Sequence, residues 1–107
     1  MKMSLAILEK LKEERASFYI YFSAPNCGVC HVLAPKLKTL MVEHFPRLDA
    51  YEVDNSIQPE IAAQYSLFTN PSLLVFLDGK EFLRRSRVIG LGEVEGELKR
   101  PYQLFFE

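Results

Sequence analysis

Two cysteines two residues apart are the residues best suited to chemistry in this chain. Cys27 and Cys30 are its only cysteines and lie in the run Asn26-Cys27-Gly28-Val29-Cys30-His31, between a strand-like and a helix-like segment. At such a junction one thiol lies at a helix N-terminus, where unpaired backbone N–H groups favour a thiolate. Because a thiolate attacks disulfides, and this spacing lets the two sulfurs bond, the pair predicts a dithiol–disulfide redox centre.

Three other interpretations of the pair stay open. Cys27-x-x-Cys30-His31 matches the string that attaches c-type haem, with the histidine as axial ligand, although no export signal accompanies it. Structural zinc needs four ligands; His31 faces away from the pair and His44 lies beyond most of a long helix, so another chain would have to complete the site. The third interpretation is two buried, inert thiols, for which a strand–helix junction is a poor location. We predict no metal and no cofactor.

The composition is that of a soluble domain with an ordinary core. The 107 residues are 49% apolar, and 13 basic residues nearly balance 14 acidic ones. No basic cluster indicates nucleic-acid binding, and no apolar run approaches the roughly 18–20 residues that span a bilayer. The first 15 residues lack the apolar core of a signal peptide. We therefore expect one domain over residues 1–107, cytoplasmic, without nucleic-acid or membrane partners, as a monomer or weak dimer.

Apolar periodicity and turn residues predict eight elements in the order α-β-α-β-α-β-β-α. The predicted helices cover residues 3–15, 28–44, 57–65 and 93–106. The predicted strands cover residues 17–24, 48–53, 72–77 and 80–88. Pro35 should kink the second helix, and Pro101 should bend or split the last one. Early strand–helix alternation favours parallel pairing, whereas Asp78-Gly79 predicts an antiparallel hairpin. We expect an α/β fold with a mixed four-stranded sheet and helices on both faces.

Several motifs, in the correct order over residues 17–98, resemble those of the thioredoxin superfamily. They are Ser23-Ala24-Pro25 before the cysteine pair, Pro35 after it, Val53-Asp54 with the following helix, Thr69-Asn70-Pro71 before a strand, Asp78-Gly79-Lys80, and Gly90. The resemblance implies a thioredoxin-like fold and thiol–disulfide oxidoreductase activity. It also implies protein disulfides as substrates and another reductase as the electron donor.

The resemblance further implies roles for individual residues. Cys27, nearer the helix N-terminus, would attack the substrate disulfide, and Cys30 would resolve the mixed disulfide. A cis Asn70–Pro71 bond would bring a loop beside the pair, where the backbone of Asn70 could pair with an extended substrate segment. Phe68 would be a further exposed contact. The candidate substrate-binding residues are Asn26, Gly28, Val29, Thr69, Asn70 and Pro71.

The chain also departs from the pattern of thioredoxins proper. Asn26 replaces the tryptophan before the first cysteine, Tyr21 replaces the buried acid, and Ala50 stands in place of its companion lysine. We expect the family's first strand to be absent, which leaves residues 3–15 as a leading helix. Tyr21 and His31 are then the candidates for proton handling. These departures favour an alternative function, in which the fold is an adaptor with non-catalytic cysteines.

Overall fold

The computed structural model describes residues 2–106. Its elements, in chain order, are α1 (Leu5–Glu13), β1 (Phe18–Ser23), α2 (Gly28–His44), β2 (Asp49–Asp54), α3 (Pro59–Gln64), β3 (Ser72–Leu77), β4 (Lys80–Ser86) and α4 (Leu91–Phe106). The predicted order is confirmed, and boundaries differ by a few residues. Helix α4 runs through Pro101 as one element, so the chain is not split there. Helix α2 likewise includes Pro35.

The four strands form one mixed sheet in the order β2-β1-β3-β4. Strand β1 pairs in parallel with β2 and antiparallel with β3. Strand β4 returns antiparallel to β3, as the Asp78-Gly79 turn predicted. The predicted mixed four-stranded sheet is confirmed, with β1 inside it and its carboxyl end leading to the cysteine pair.

Strand β1 supplies two separate cores because successive side chains of a strand point to opposite faces of the sheet. On one face it packs with α1 and α3, through the buried residues Phe18, Ile20, Phe22, Leu8 and Ile61. On the other face it packs with α2 and α4, through Tyr19, Tyr21, Leu37, Met41, Val94 and Leu98. Each fully buried large side chain contributes about 1.5–3 kcal/mol. This double burial holds the end of β1, and therefore the start of α2, in place.

The β3–β4 turn docks against the end of α1. Gly79 has a φ of +76°, and a Cβ there would lie 2.5 Å from the carbonyl oxygen of Lys12. Its backbone N–H donates to the Ala16 carbonyl at 2.8 Å. Arg15 and Asp78 form an ion pair at 2.6 Å beside it. The turn therefore requires glycine both for its left-handed backbone and for its close approach to the helix.

The segment before α1 contributes little to the sheet. Within the described residues it forms one isolated parallel bridge, from Lys2 to Glu52. Met3 is buried and its carbonyl accepts a hydrogen bond from Gln58 at 2.8 Å. Strand β2 is consequently an edge strand with one added bridge on its outer side. In residues 2–106, no helix combines the length and the apolar character needed to cross a membrane.

Candidate active site

The cysteine pair lies at the N-terminus of α2. Cys27 is the N-cap residue, and its sulfur accepts a hydrogen bond from the Cys30 backbone N–H at 3.1 Å. The two cysteines are joined by a disulfide, with their Cα atoms 5.2 Å apart. Cys27 is partly exposed, whereas Cys30 is 1% exposed. When the disulfide is reduced, the same N–H group and the helix dipole favour a thiolate on Cys27.

Two polar side chains near the pair, those of Tyr21 and His31, contact backbone carbonyls beside it. The Tyr21 hydroxyl is buried and donates to the Cys30 carbonyl at 2.9 Å. Burial, and then the charge of Glu52, raise the pKa of Tyr21, so the phenol is neutral at physiological pH. A ring nitrogen of His31, Nε2, lies 2.9 Å from the Pro25 carbonyl on an exposed surface. Both proposed proton-handling groups are therefore engaged with carbonyls on either side of the disulfide.

A groove of about 460 Å³ passes over Cys27. Its lining residues are Cys27, Gly28, Val29, Leu33, Asn70, Pro71, Arg87, Val88 and Ile89. The Asn70–Pro71 peptide bond is cis, and this loop forms the wall opposite the start of α2. Four of the six predicted substrate-binding residues thus line one groove with the exchangeable sulfur. Asn26 and Thr69 lie outside the lining set.

Sequence reasoning missed the third wall of the groove, which is the segment 87–89. The backbone N–H of Arg87 donates to the Pro71 carbonyl at 2.8 Å, which ties the two walls together. The sequence pattern extended β4 to Val88, whereas the strand ends at Ser86. Leu33 was also missed, since its place in the apolar stripe of α2 indicated only core packing. Gly90 matches a glycine that the family has near its last helix, and it was the one signal in the sequence that could have pointed to this segment.

The Asn70 side chain is held by Asn55, which is not among the residues that line the groove. Its Oδ1 accepts a hydrogen bond from Asn55 Nδ2 at 2.8 Å. Phe68 is 79% exposed and lines a neighbouring cleft of about 240 Å³ that Asn55 and Asn70 also line. Phe68 therefore lines a cleft other than the groove over Cys27, and Asn70 lines both. Its side chain is accessible beside the loop, as the sequence predicted, but outside the groove itself.

The described residues do not assemble a metal site. Among residues 2–106, no three His, Cys, Asp or Glu side chains lie together in a way that could hold a metal ion. The zinc interpretation of the cysteine pair would therefore need ligands from another molecule.

Comparison with known proteins agrees with the fold and the pair. The family model described as Thioredoxin matches residues 6–98. The chain belongs to the thioredoxin family. It is 36% identical over 102 residues to the thioredoxin-like protein YdfQ of Bacillus subtilis, covering 95% of this chain and 90% of that protein. It is 38% identical over 80 residues to a thioredoxin of Chlamydia trachomatis, covering 75% and 74%.

A solved thioredoxin, that of Fasciola hepatica, superimposes with a TM-score of 0.70 at 33% identity, covering 94% of this chain and 92% of that one. Family membership and the bonded Cys27–Cys30 pair together identify the protein as a thiol–disulfide oxidoreductase.

Proposed function

We propose that this thioredoxin-family protein reduces disulfides of other proteins through Cys27 and Cys30. The Cys27 thiolate attacks one sulfur of the substrate disulfide, and the other substrate sulfur leaves as a thiolate. The Cys30 thiol then gives its proton to the substrate thiolate released in the first step, and the Cys30 sulfur attacks Cys27 in the mixed disulfide. The Cys27–Cys30 bond forms, the second substrate thiolate is released, and two electrons have passed to the substrate.

The observation that carries this division of roles is the unequal environment of the two sulfurs. Cys27 is partly exposed, caps α2 and accepts the Cys30 N–H at 3.1 Å. Cys30 is 1% exposed, so a large substrate cannot reach its sulfur directly. A stabilised, accessible thiolate suits the attacking group, and a shielded neighbour suits the resolving one.

In this proposal the substrate segment lies extended across the groove. The backbone of Asn70 pairs with it as an added strand, while Gly28, Val29 and Pro71 form the surface it crosses. Asn26 and Thr69 contact the parts of the substrate that extend beyond the groove. Tyr21 and His31 position the start of α2 and take no proton in the exchange. The support for this assignment is their hydrogen bonds to carbonyls.

Each turnover leaves the Cys27–Cys30 disulfide, so a second reductase must supply two electrons to restore the dithiol. We propose a cytoplasmic location and a monomeric or weakly dimeric protein. The support for this location is that both cysteines belong to the exchangeable pair. In a reducing compartment, cysteine pairs are more often catalytic than structural.

The test is reduction of a protein disulfide, such as that of insulin, with an electron-donating reductase present. Cys27→Ser should abolish reduction, and Cys30→Ser should accumulate mixed disulfides that non-reducing electrophoresis detects. Trapping by Cys27→Ser would reverse the roles. A wild-type protein that reduces nothing, with an ordinary Cys27 pKa in a thiol titration, would favour the adaptor function instead.

A further inference from the structure

Arg87 is the one charged side chain among the residues that line the Cys27 groove. The other lining residues are a cysteine, a glycine, an asparagine and five apolar residues, namely Val29, Leu33, Pro71, Val88 and Ile89. An exposed cation beside an apolar surface is a recognition element for a segment that is itself apolar and carries a negative charge.

The charge of Arg87 is not neutralised within the described part of the chain. The two arginines of β4 are both paired, Arg84 with Glu81 and Arg85 with Glu97. No carboxylate of residues 2–106 lies within ion-pair distance of Arg87. Its guanidinium can therefore form an ion pair with a carboxylate of another molecule.

The backbone at Arg87 is fixed in place at a conformational cost. Its φ of 67° lies in the left-handed region, which glycine and asparagine adopt more readily than arginine. Its N–H donates to Pro71, and the next N–H, of Val88, donates to the Ser86 carbonyl at 2.8 Å. These two hydrogen bonds hold Arg87 in the segment that lines the groove.

We propose that Arg87 selects substrates in which an aspartate or glutamate lies next to the reactive cysteine. This proposal rests on the proposed function of the groove. The planar guanidinium binds a carboxylate through two parallel N–H···O bonds, which also fixes the direction of the bound segment. Arg87 takes part in no bond making or breaking; it acts on substrate binding and on the rate of encounter.

The experiment uses three disulfide-containing peptides that differ only in the residue beside the reactive cysteine, which is Glu, Gln or Lys. We expect the wild-type protein to have a kcat/KM about two- to five-fold higher for Glu than for Gln, in line with an exposed ion pair. Lys should give the lowest value. The difference should lie mainly in KM and should vanish as salt approaches about 1 M, where charges are screened beyond about 3 Å.

Variants separate this role from general effects of charge. Arg87→Gln should remove the preference, Arg87→Lys should keep part of it, and Arg87→Glu should reverse it. Arg100→Gln is the matched control, because it removes the same charge from an exposed position of α4 outside the groove. Circular dichroism should show all four variants folded.

Three results would overturn the proposal. One is an equal kcat/KM for all three peptides with the wild-type protein. This result would remove the selectivity but would leave the proposed reductase function intact. Another is an unchanged preference in Arg87→Gln, or its loss in Arg100→Gln. The third is reduction of none of the peptides, which would remove the proposed function together with the selectivity.

Discussion

The Tyr21 hydroxyl contacts the backbone of Cys30 rather than a sulfur. Replacement by phenylalanine removes this hydrogen bond and keeps the ring in the core. We expect Tyr21→Phe to lower the free energy of unfolding of the oxidised protein by about 1 kcal/mol. We expect the rate of the resolving step to change little, because in the proposed function the phenol holds the helix and transfers no proton to or from a sulfur. Urea unfolding and stopped-flow kinetics measure the two quantities.

Tyr19→Phe is the control for Tyr21→Phe, since Tyr19 is buried on the same face of β1. It should cost less stability and leave exchange unaffected. A resolving step slowed about a hundredfold in Tyr21→Phe, the size of effect that loss of a general base produces, would mean that Tyr21 handles the proton after all.

The residues of the site differ in how far the sequence alone could predict them. Cys27 and Cys30 were predictable because their spacing and their junction between a strand and a helix determine their chemistry locally. The place of Pro71 in the site could be predicted only from the resemblance to the family, because a proline before a strand is common and does not by itself indicate a site. Arg87 and Val88 could not be predicted, because the turn that brings them to Cys27 depends on a hydrogen bond to Pro71 from a distant part of the chain.

At the level of elements, the contact between the β3–β4 turn and α1 depends on the absence of a side chain at Gly79. We expect Gly79→Ala to destabilise the protein by more than about 1 kcal/mol. A Cβ would lie 2.5 Å from the Lys12 carbonyl oxygen, and the left-handed backbone would be strained as well. The free energy of urea unfolding is the measurement.

Gly96→Ala is the matched control for Gly79→Ala. Gly96 lies within α4 and is exposed, and a methyl group added there would meet no heavy atom within 4 Å. Alanine at this position should stabilise the helix by about 0.5–1 kcal/mol. Equal effects of the two substitutions would show that the turn does not press against α1.

Elements were predictable where one periodicity or turn signal dominated. Helix α2 and strand β3 begin and end where the sequence indicated, because Gly28 and Ser72 follow clear breaks. The end of β4 was not predictable, since Arg87 and Val88 continue the strand pattern while the backbone turns at a positive φ. Pro101 was expected to bend or split α4, and the helix is not split there, because one missing backbone N–H does not by itself end a helix.

For the whole molecule, the two cores share one sheet, and we expect them to unfold together. Leu8 and Leu98 are both fully buried, on opposite faces. Leu8→Ala and Leu98→Ala should each cost about 2–5 kcal/mol. Far-UV circular dichroism and tyrosine fluorescence should give coincident transitions for each variant. Separate midpoints for the two probes would mean that the faces are independently stable.

Alkaline pH should destabilise the molecule as a whole. Burial raises the pKa of Tyr19, Tyr21 and Tyr51, and the nearby charges of Glu52 and Asp49 add to it. The folded state therefore keeps phenolic protons that the unfolded state loses near its ordinary pKa of about 10. The resulting stability is fully present below that pH and is lost as the pH rises through the raised pKa values.

The measurement is the urea unfolding free energy of the oxidised protein from about pH 8 to about pH 11, which brackets the tyrosine range. Tyr21→Phe, which lacks one of the three phenols, should show a shallower decline over the same range. A free energy that stays constant or increases above about pH 10 in the wild-type protein would contradict the predicted sign.

Strand β2 lies at the border of the sheet and gains only the Lys2–Glu52 bridge on its outer side within the described residues. An open border of this kind is a template on which another chain can extend the sheet, the first step of aggregation. Three of its six residues are acidic, namely Asp49, Glu52 and Asp54. If two copies paired along this border, the carboxylates of both strands would lie close together and repel each other. This repulsion discourages pairing between copies, a role that an additional outer strand would otherwise fill by covering the border.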